Sequence, residues 1–373
     1  MENITESKKE LKREYFLTHS PINFQFAQNS KDFVVDEIPL YEWSGVGEHL
    51  ILKIRKRNIT TWDMISIIAK IAGIDRRDVG YAGLKDKNAM TMQYISLPKK
   101  YEDKFDNFDE KSISILEKHY HSNKIKLGHL KGNKFFIRLK KVNPTSASMI
   151  EGALSQIKEL GMPNFFGFQR FGMNGDNYKV GQEIIAGKSK LRDKTKRRLF
   201  INSYQSHLFN NWLSERIKLS RLVDEFSEEE LPAVFKSLNL EFENPELLQN
   251  QKHPFKLLLG DIMLHYPFGK GFPLIKEEFE EGVSRFEKRD SVPSGILVGK
   301  RAKRVSGDSL LYEEKILEDV TIVDGERRYA WIFPDNVEGK YRESDFWFEL
   351  NFFLPKGSYA TTLLEEIAKK DVR

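Results

Sequence analysis

A short polar loop with one aspartate between two lysines is the segment of this sequence best suited to chemistry. It lies within Gly80–Gln93 (GYAGLKDKNAMTMQ), where Asp86 is flanked by Lys85 and Lys87. Because neighbouring positive charge favours the ionised carboxyl, we expect Asp86 to be a carboxylate at neutral pH. Such a carboxylate can act as a nucleophile, a base or a metal ligand. One aspartate beside two lysines argues against a metal site, which needs several oxygen ligands, and the loop taken alone could be an ordinary polar turn.

A second unusual segment is rich in aromatic side chains. Gly161–Gly172 (GMPNFFGFQRFG) combines four phenylalanines with three internal or flanking glycines and with Arg170. Aromatic and arginine side chains on a glycine-hinged loop are suited to stacking on unpaired bases. A core loop with one structural arginine is an equally good interpretation of this segment taken alone.

The positive charge of the chain is concentrated in clusters. The chain has 60 Lys and Arg against 55 Asp and Glu, a net charge of +5. Residues 118–141 hold eight basic side chains and no carboxylate, residues 188–198 hold seven and one aspartate, and residues 300–304 hold four. Residues 224–246, by contrast, carry eight carboxylates and one lysine. Basic clusters near aromatics favour contact with a nucleic-acid backbone, although solvated surfaces show the same pattern.

The composition excludes several classes of protein. There is no cysteine, which excludes disulfides, thiolate catalysis and zinc-ribbon or Fe–S sites. The best apolar stretch, Met64 to Ile74, has about half the length that a bilayer requires and contains Lys70. The first residues lack the apolar core of a signal peptide. We therefore expect a soluble, cytoplasmic protein.

Hydrophobic periodicity predicts strands and helices in an irregular order, which favours the α+β class over a doubly wound sheet. A long helix over 193–218 and a polar, turn-rich stretch to about Arg304 separate this region from a final strand and helix. This order suggests a discontinuous domain whose two ends close one sheet. The predicted strands are 33–38, 49–56, 90–97, 112–120, 133–141 and 346–354; the predicted helices begin at Thr60 or Thr61, Thr145 and Ser358.

Six motifs in this sequence, taken in order along the chain, resemble those of the TruD family of tRNA pseudouridine synthases. Each motif alone is weak, whereas six in register at both ends of the chain are specific. The resemblance is poor over residues 215–300. The motifs are Asp32–Glu37 (DFVVDE), Gly47–His49 (GEH), Gly80–Gln93, Gly132–Phe135 (GNKF), Pro163–Gly172 (PNFFGFQRFG) and Leu354–Thr361 (LPKGSYAT).

The resemblance implies a fold and a division into domains. It implies a catalytic domain of the pseudouridine synthase type, with a mixed, mainly antiparallel sheet and flanking helices. We expect this discontinuous domain to comprise residues 1–164 and 305–373. Residues 165–304 would then form an α/β insertion domain specific to the family.

The resemblance also implies a reaction, the isomerisation of a uridine in the D-arm of tRNA, at position 13 in bacteria. The glycosidic bond from C1′ to N1 breaks, and the same ring reattaches through C5. No electrons and no second substrate are exchanged, so we expect no cofactor and no metal. The predicted partner is tRNA, without a membrane, and the sequence leaves protein partners unknown.

Site residues follow from the positions that match the family motifs. Asp86 matches the catalytic aspartate, which can attack C1′, add to C6 or stabilise positive charge at C1′. Asn133 matches a substrate-binding asparagine, whose amide can offer both a donor and an acceptor to uracil. Phe33, Phe135 and Tyr359 match aromatic positions at or near the flipped base. Core packing is the alternative for both phenylalanines, and inward packing at a helix start is the alternative for Tyr359.

Two departures from the family pattern affect these assignments. Tyr359 stands where we expect phenylalanine, and no lysine occurs in Phe24–Asn29, several residues before the first motif, where we expect a cation for the catalytic carboxylate. We therefore hypothesise that Lys85 or Lys87 supplies that cation. Arg170 is assigned to substrate binding, through the RNA backbone, or alternatively to anchoring the insertion.

Two functions of other classes compete with this one. A basic, aromatic-rich RNA-binding protein without catalysis explains the charged clusters but not Asp86. A metal hydrolase could use His119 and His121, which share one face of a predicted strand. We expect these imidazoles to be exposed or to face RNA instead, because we expect no carboxylate near them.

Overall fold

The computed structural model describes residues 13–316 and 323–372. The described strands are β1 Phe33–Pro39, β2 His49–Arg57, β3 Gly80–Tyr81, β4 Met90–Pro98, β5 Ile113–His121, β6 Leu130–Lys140, β7 Met162–Pro163, β8 Ile262–His265, β9 Gly271–Pro273, β10 Ser291–Leu297, β11 Glu326–Tyr329, β12 Trp331–Ile332, β13 Asp335–Arg342 and β14 Trp347–Pro355. The described α-helices are α1 Thr61–Ala72, α2 Pro144–Leu160, α3 Asn177–Ile185, α4 Lys194–Glu225, α5 Leu231–Ser237, α6 Glu246–Gln249, α7 Phe279–Glu287, α8 Leu310–Glu313 and α9 Ala360–Ala368.

The chain divides into two compact units. The first, here called the eight-stranded unit, comprises residues 19–159 and 333–372. The second, here called the long-helix unit, comprises residues 13–18, 160–316 and 323–332. The discontinuity expected from the sequence is present, but the chain leaves the long-helix unit at residue 332, whereas we expected the insertion to end at 304. The physical reason is that β11 pairs with β10, and β12 with β7, inside the long-helix unit. That residues 165–304 form a domain specific to the family stays a prediction.

One mixed sheet forms the centre of the eight-stranded unit. Its strand order is β13-β14-β6-β1-β4-β2-β5, with β3 paired to β4. Only the β1–β4 pair is parallel; the other described pairs in this sheet are antiparallel. The predicted α+β class with a mainly antiparallel sheet is therefore confirmed.

Helix α1 covers the β2–β4 side of this sheet. Its buried Met64, Ile65 and Ile68 recur at helical spacing and pack against Leu52, Ile54 and other apolar side chains of the strands. Thr60 caps the helix, since its side chain accepts from the Asp63 N–H while the Asp63 carboxylate accepts from the Thr60 N–H. The start predicted at Thr60 is confirmed, and the predicted stop at Gly73 is a left-handed C-cap.

Two predicted helix starts are wrong. Helix α2 begins before Thr145, because the Asn143 side chain accepts from the Ser146 N–H at 2.7 Å and Pro144 occupies the first helical position. Helix α9 begins after Tyr359, which caps it with backbone alone, and not after Ser358.

The long-helix unit is built around α4, a helix of 32 residues whose start is capped by the Asp193 carboxylate. A four-stranded sheet of order β11-β10-β8-β9 accompanies it. The turn-rich stretch predicted up to about residue 304 contains α5, α6, α7, β8, β9 and β10 instead. These elements are short, so their periodicity extends over too few residues to be recognised.

A buried ion pair joins α4 to the segment before β8. Arg216 and Asp261 have no exposed side-chain surface, and two guanidinium N–H groups donate to the two carboxylate oxygens at 2.8 Å each. The Ser309 hydroxyl donates to the same carboxylate at 2.6 Å. Each charge is thus compensated, which a buried ion requires.

None of the helices in residues 13–316 and 323–372 combines the length and the apolar character needed to cross a membrane.

We predict that Asp261→Asn destabilises the long-helix unit by about 3–5 kcal/mol, because the variant leaves the Arg216 charge buried without a counter-ion. Urea unfolding followed by the fluorescence of Trp212, which lies on α4 beside Arg216, measures this loss. The control is Lys218→Gln, which removes a partly exposed pair with Glu215 and should cost no more than about 0.5 kcal/mol. Equal effects of the two variants would contradict the role given to the buried pair.

Candidate active site

A band of polar side chains crosses the four central strands of the eight-stranded unit. Strand register places Glu37 of β1 opposite Asn133 of β6, and Lys56 of β2 opposite Thr91 of β4. Glu37, Lys56, Thr91 and Gln93 are at most 1% exposed, although the positions beside them along the same face are apolar. Buried polar and charged groups of this kind persist only where they are paired or serve a function. The band therefore marks the candidate site.

The loop that carries Asp86 ends against this band. It joins β3 to β4, and Asp86 itself is half-buried. The first residue of α1, Thr61, fixes the loop from one side: its hydroxyl accepts from the Lys85 N–H at 2.9 Å and donates to the Gln93 side-chain oxygen at 3.1 Å. The capped start of α1 thus positions the residue next to Asp86.

Lys56 fixes the same turn through hydrogen bonds to its backbone. Its ammonium donates to the carbonyl oxygens of Ile59 at 2.8 Å, Asp86 at 2.9 Å and Lys85 at 3.4 Å. The side chain is fully buried, and burial lowers the pKa of Lys56 to about 8, while the Asp86 carboxylate opposes this shift by favouring the charged form. The cation that lies directly beneath the Asp86 backbone is therefore Lys56.

Lys85 points away from the turn and into the polar band. Its ammonium donates to the Asn133 side-chain oxygen at 2.6 Å and lies 2.7 Å from a carboxylate oxygen of Glu37. The other Glu37 oxygen accepts from the Tyr94 N–H at 3.2 Å. An ammonium group only donates, so this contact fixes Asn133 with its oxygen toward Lys85 and leaves its NH₂ group for another partner.

The hypothesis that the ammonium of Lys85 or Lys87 supplies the cation for the Asp86 carboxylate stays a prediction. The ammonium of Lys85 pairs with the Glu37 carboxylate and donates to the Asn133 side chain, and Lys87 is exposed. None of the sequence motifs contains Lys56. The available signal was its position in β2, where Lys56 continues the buried alternation of Leu52 and Ile54 and ends it with a charge.

The two predicted phenylalanines lie together on the same sheet face. The rings of Phe33 and Phe135 stack with centroids 6.2 Å apart and an angle of 8°, and Phe352 stacks on Phe135 at 5.3 Å. Phe33 is 3% exposed and Phe135 is 8% exposed. Both rings therefore pack in the core beside Asn133; their contact with a base stays a prediction.

Asp32, which precedes Phe33 in the first motif, fixes the start of β1. Its carboxylate accepts from Asn29 at 2.7 Å, Lys140 at 2.6 Å and Arg138 at 3.3 Å. Since Lys140 and Arg138 belong to β6, the aspartate ties the two strands together next to the stacked rings. The motif residue thus has a structural explanation.

Tyr359 and Arg170 lie in different surroundings. Tyr359 is half-buried and immediately precedes α9, a few residues after the end of β14, the strand whose Leu354 pairs with Asn133. Arg170 belongs to the long-helix unit, where its guanidinium donates to the Ser206 hydroxyl at 3.0 Å and lies over the Phe166 ring at 5.4 Å. The substrate-binding role of each stays a prediction.

Two glycines of the motifs, Gly80 and Gly132, serve close packing. Neither has a positive φ, and nor does Gly83. A Cβ at Gly80 would collide with the Ile125 carbonyl oxygen, and one at Gly132 with the Leu354 carbonyl oxygen. Gly132 therefore permits the close approach of β14 to β6 next to Asn133, whereas a Cβ at Gly83 meets open space.

The histidines considered as metal ligands have other neighbours. His119 contacts the Glu117 carboxylate at 2.9 Å, so our expectation that no carboxylate lies near them is wrong. His121 stacks on Tyr41 with centroids 4.9 Å apart. In the part of the chain that the structure describes, no three His, Asp or Glu side chains are grouped to hold a metal ion.

Comparison with known proteins shows which family this chain matches. A family model described as tRNA pseudouridine synthase D (TruD) matches residues 10–192 and 189–367. The tRNA pseudouridine synthase D of a Nitratiruptor species is 52% identical over 361 residues, which is 97% of this chain and 99% of that protein. The tRNA pseudouridine synthase D of Sulfurimonas denitrificans is 51% identical over 360 residues, 96% of this chain and 99% of that protein.

A solved structure shows the same fold. A chain from Methanosarcina mazei, assigned to tRNA pseudouridine synthase D (TruD), superposes with a TM-score of 0.70 at 21% identity, and the match covers 96% of both chains. The likeness extends over both compact units of this chain.

We predict that Gly132→Ala lowers the free energy of unfolding by about 1–3 kcal/mol, because a methyl group forces β14 away from β6. Amide hydrogen exchange at residues 131–134 and thermal unfolding measure the effect. Gly152→Ala on α2 is the control, since its Cβ meets open space and alanine should stabilise the helix by about 0.5–1 kcal/mol. Unchanged exchange at Asn133 in Gly132→Ala would refute the close-packing explanation.

Proposed function

This chain belongs to the TruD family of tRNA pseudouridine synthases, and we propose that it isomerises the uridine at position 13, in the tRNA D-arm, with Asp86 as the nucleophile. The observation that carries the proposal is the arrangement of buried Lys56, Lys85 and Glu37 around the turn of Asp86. Lys56 binds the backbone of this turn, and Lys85 links the turn to Glu37; buried charges of this kind are typical of a catalytic site, where strong local electrostatics is common.

The chemistry needs one carboxylate and a closed environment. Attack by Asp86 on C1′ breaks the bond to N1 and leaves the uracil as an anion with its charge spread over the ring; attack on C6 activates the same bond from the base. The ring then turns and bonds to C1′ through C5, and the bond from Asp86 to C1′ or C6 breaks, which regenerates the carboxylate. The hydrogen on C5 leaves as a proton and N1 gains one, so atoms and electrons balance without a redox partner. The uracil must remain in its place throughout, which favours tight walls.

The side chains near Asn133 can provide these walls. A uridine in folded RNA must leave its stack to reach Asp86, and the cost falls when an aromatic surface receives the base. In this proposal Tyr359 and the edges of Phe33 and Phe135 receive it. The two phenylalanines are stacked and buried, so they form a rigid base to the pocket and the half-buried Tyr359 supplies the accessible ring.

In this proposal Asn133 contacts the edge of the base through its N–H donors alone. Because Lys85 holds the amide oxygen, Asn133 offers N–H donors. Uracil presents carbonyl oxygens at C2 and C4, whereas cytosine carries an amino group at C4 that repels a donor. This refines the expectation that Asn133 offers both a donor and an acceptor. It also gives Lys85 and Glu37 a role, since together they fix the amide.

The remaining assignments follow from the substrate. Arg170 contacts the RNA backbone in this proposal, with its guanidinium oriented by Ser206 and Phe166. In this proposal the protein acts in the cytoplasm, with tRNA as its partner. The non-catalytic RNA-binding alternative is not favoured, since it leaves the buried charges around Asp86 without a purpose.

We predict that Asp86→Asn abolishes pseudouridine formation, with a loss of about 1,000-fold or more, and leaves tRNA affinity nearly unchanged, because the amide keeps the shape but not the nucleophile. Unmodified tRNA transcripts incubated with the enzyme and mapped with carbodiimide give the product and its position together. Asp75→Asn, an exposed aspartate of the same unit, is the control. Product at a uridine outside the D-arm would refute the proposed position, and an active Asp86→Asn would refute the nucleophile.

We predict that Asn133→Asp lowers kcat/KM by about 10–100-fold, because a carboxylate still accepts from Lys85 but has no N–H to donate to uracil. Single-turnover rates on D-arm substrates measure this change. Asn351→Asp, exposed on neighbouring β14, is the matched control. If Asn133→Asp keeps the rate of the parent enzyme, Asn133 reads the base through its oxygen and the orientation inferred from Lys85 is wrong.

A further inference from the structure

We propose that Lys56 is a positioning residue for catalysis: its buried ammonium fixes the backbone of the turn at Asp86, so that the carboxylate is held in its productive direction. This inference rests on the proposed role of Asp86 and adds a residue that the sequence motifs do not contain.

The position and hydrogen bonds of Lys56 support this positioning role. Lys56 is the penultimate residue of β2, and its register partners are Thr91 on β4 and Ile113 on β5, so its backbone is fixed from both sides. From this rigid position the side chain reaches three carbonyl oxygens of two different loops, at Ile59, Lys85 and Asp86. Two of these belong to consecutive residues of the catalytic turn. A displacement of the turn would therefore break hydrogen bonds to a buried charge.

The electrostatics supports it next. The charged groups that act on Lys56 are Asp86 and Lys85 on the loop and Asp63 on α1; the two carboxylates favour its charged form and Lys85 opposes it. A fully buried ammonium is costly to desolvate, and an apolar side chain of similar length would fill the same space without that cost. The charge of Lys56 is therefore explained by its hydrogen bonds to the turn and by its attraction to the Asp86 carboxylate.

The charge has opposite consequences for activity and for stability, and this separates a positioning role from a structural one. The pKa of Lys56 is about 8 in the folded protein and about 10.4 when unfolded. Between these values the unfolded chain binds more protons, so the contribution of Lys56 to stability rises as pH increases. Deprotonation over the same range weakens its hold on the Asp86 carbonyl, so kcat should fall while stability does not.

The absence of cysteine from this chain permits a direct chemical test. Lys56→Cys introduces a single thiol, which 2-bromoethylamine converts in the unfolded protein to a lysine analogue with sulfur in place of one methylene. Refolded protein is then assayed for single-turnover kcat, KM for tRNA, circular dichroism and melting temperature. Lys53→Cys, taken through the same steps, is the control. Lys53 lies on the same strand with its side chain on the opposite face, paired with Asp36 and Glu117.

We expect Lys56→Cys and Lys56→Met to lose about 10–100-fold in kcat, the size of a lost charge-assisted hydrogen bond, with KM for tRNA nearly unchanged. Aminoethylation should restore most of kcat. Because sulfur makes the ammonium less basic, the alkaline fall of kcat should begin at lower pH in the restored enzyme than in the parent. The Lys53 forms should keep the parent profile.

Several results would overturn the inference. They are an unchanged kcat in Lys56→Met, a folded aminoethylated enzyme that stays inactive, and a parent kcat that shows no fall between pH 7 and 9.5 on a folded protein. The last measurement needs no variant, so it decides the matter even if the Lys56 variants do not fold. Active Lys56 variants beside an inactive Asp86→Asn would refute only this inference, whereas an active Asp86→Asn would refute the proposed function itself.

Discussion

Two buried ammonium groups, those of Lys56 and Lys85, determine how the turn of Asp86 sits on the sheet. Lys56 holds the carbonyl oxygens of the turn, and Lys85 extends from the same turn to Glu37 and Asn133. The two lysines therefore connect three central strands with one loop of irregular backbone. Because both ammonium groups lie out of water, each contact is stronger than it would be at the surface, and each lost contact costs more.

This arrangement explains why the most conspicuous residues of the site are not the ones that hold it together. Asp86 and Tyr359 are half-buried, whereas Lys56, which holds the backbone at Asp86, is fully buried. A single catalytic carboxylate must point toward the reacting atom, and its orientation is best fixed before the substrate binds. In the proposed function, the stacked and buried rings of Phe33 and Phe135 contribute in the same way, as a rigid support for the base.

Much of the eight-stranded unit could be predicted from the sequence, because its strands are long and α1 has a clear cap at Thr60. The order of those strands could not be predicted, since strand pairing joins residues far apart in the chain. For the same reason Lys56 was missed: the sequence shows a lysine at the end of a strand, and only the register with β4 places it under Asp86. Asn143 and Tyr359 show a local limit, because several neighbouring residues can each begin a helix and packing chooses among them.

The proposed role of the turn requires that a buried, positively charged Lys56 is coupled to the backbone at Asp86. Nuclear magnetic resonance of lysines labelled with ¹³C and ¹⁵N, with the Lys56 signal assigned by its loss in Lys56→Met, measures this most directly. We expect a titration midpoint at about pH 8, and a shift of the Lys87 amide, which follows the Asp86 carbonyl, with the same midpoint. A midpoint near the ordinary lysine value of about 10.4, with no response of that amide, would contradict the account.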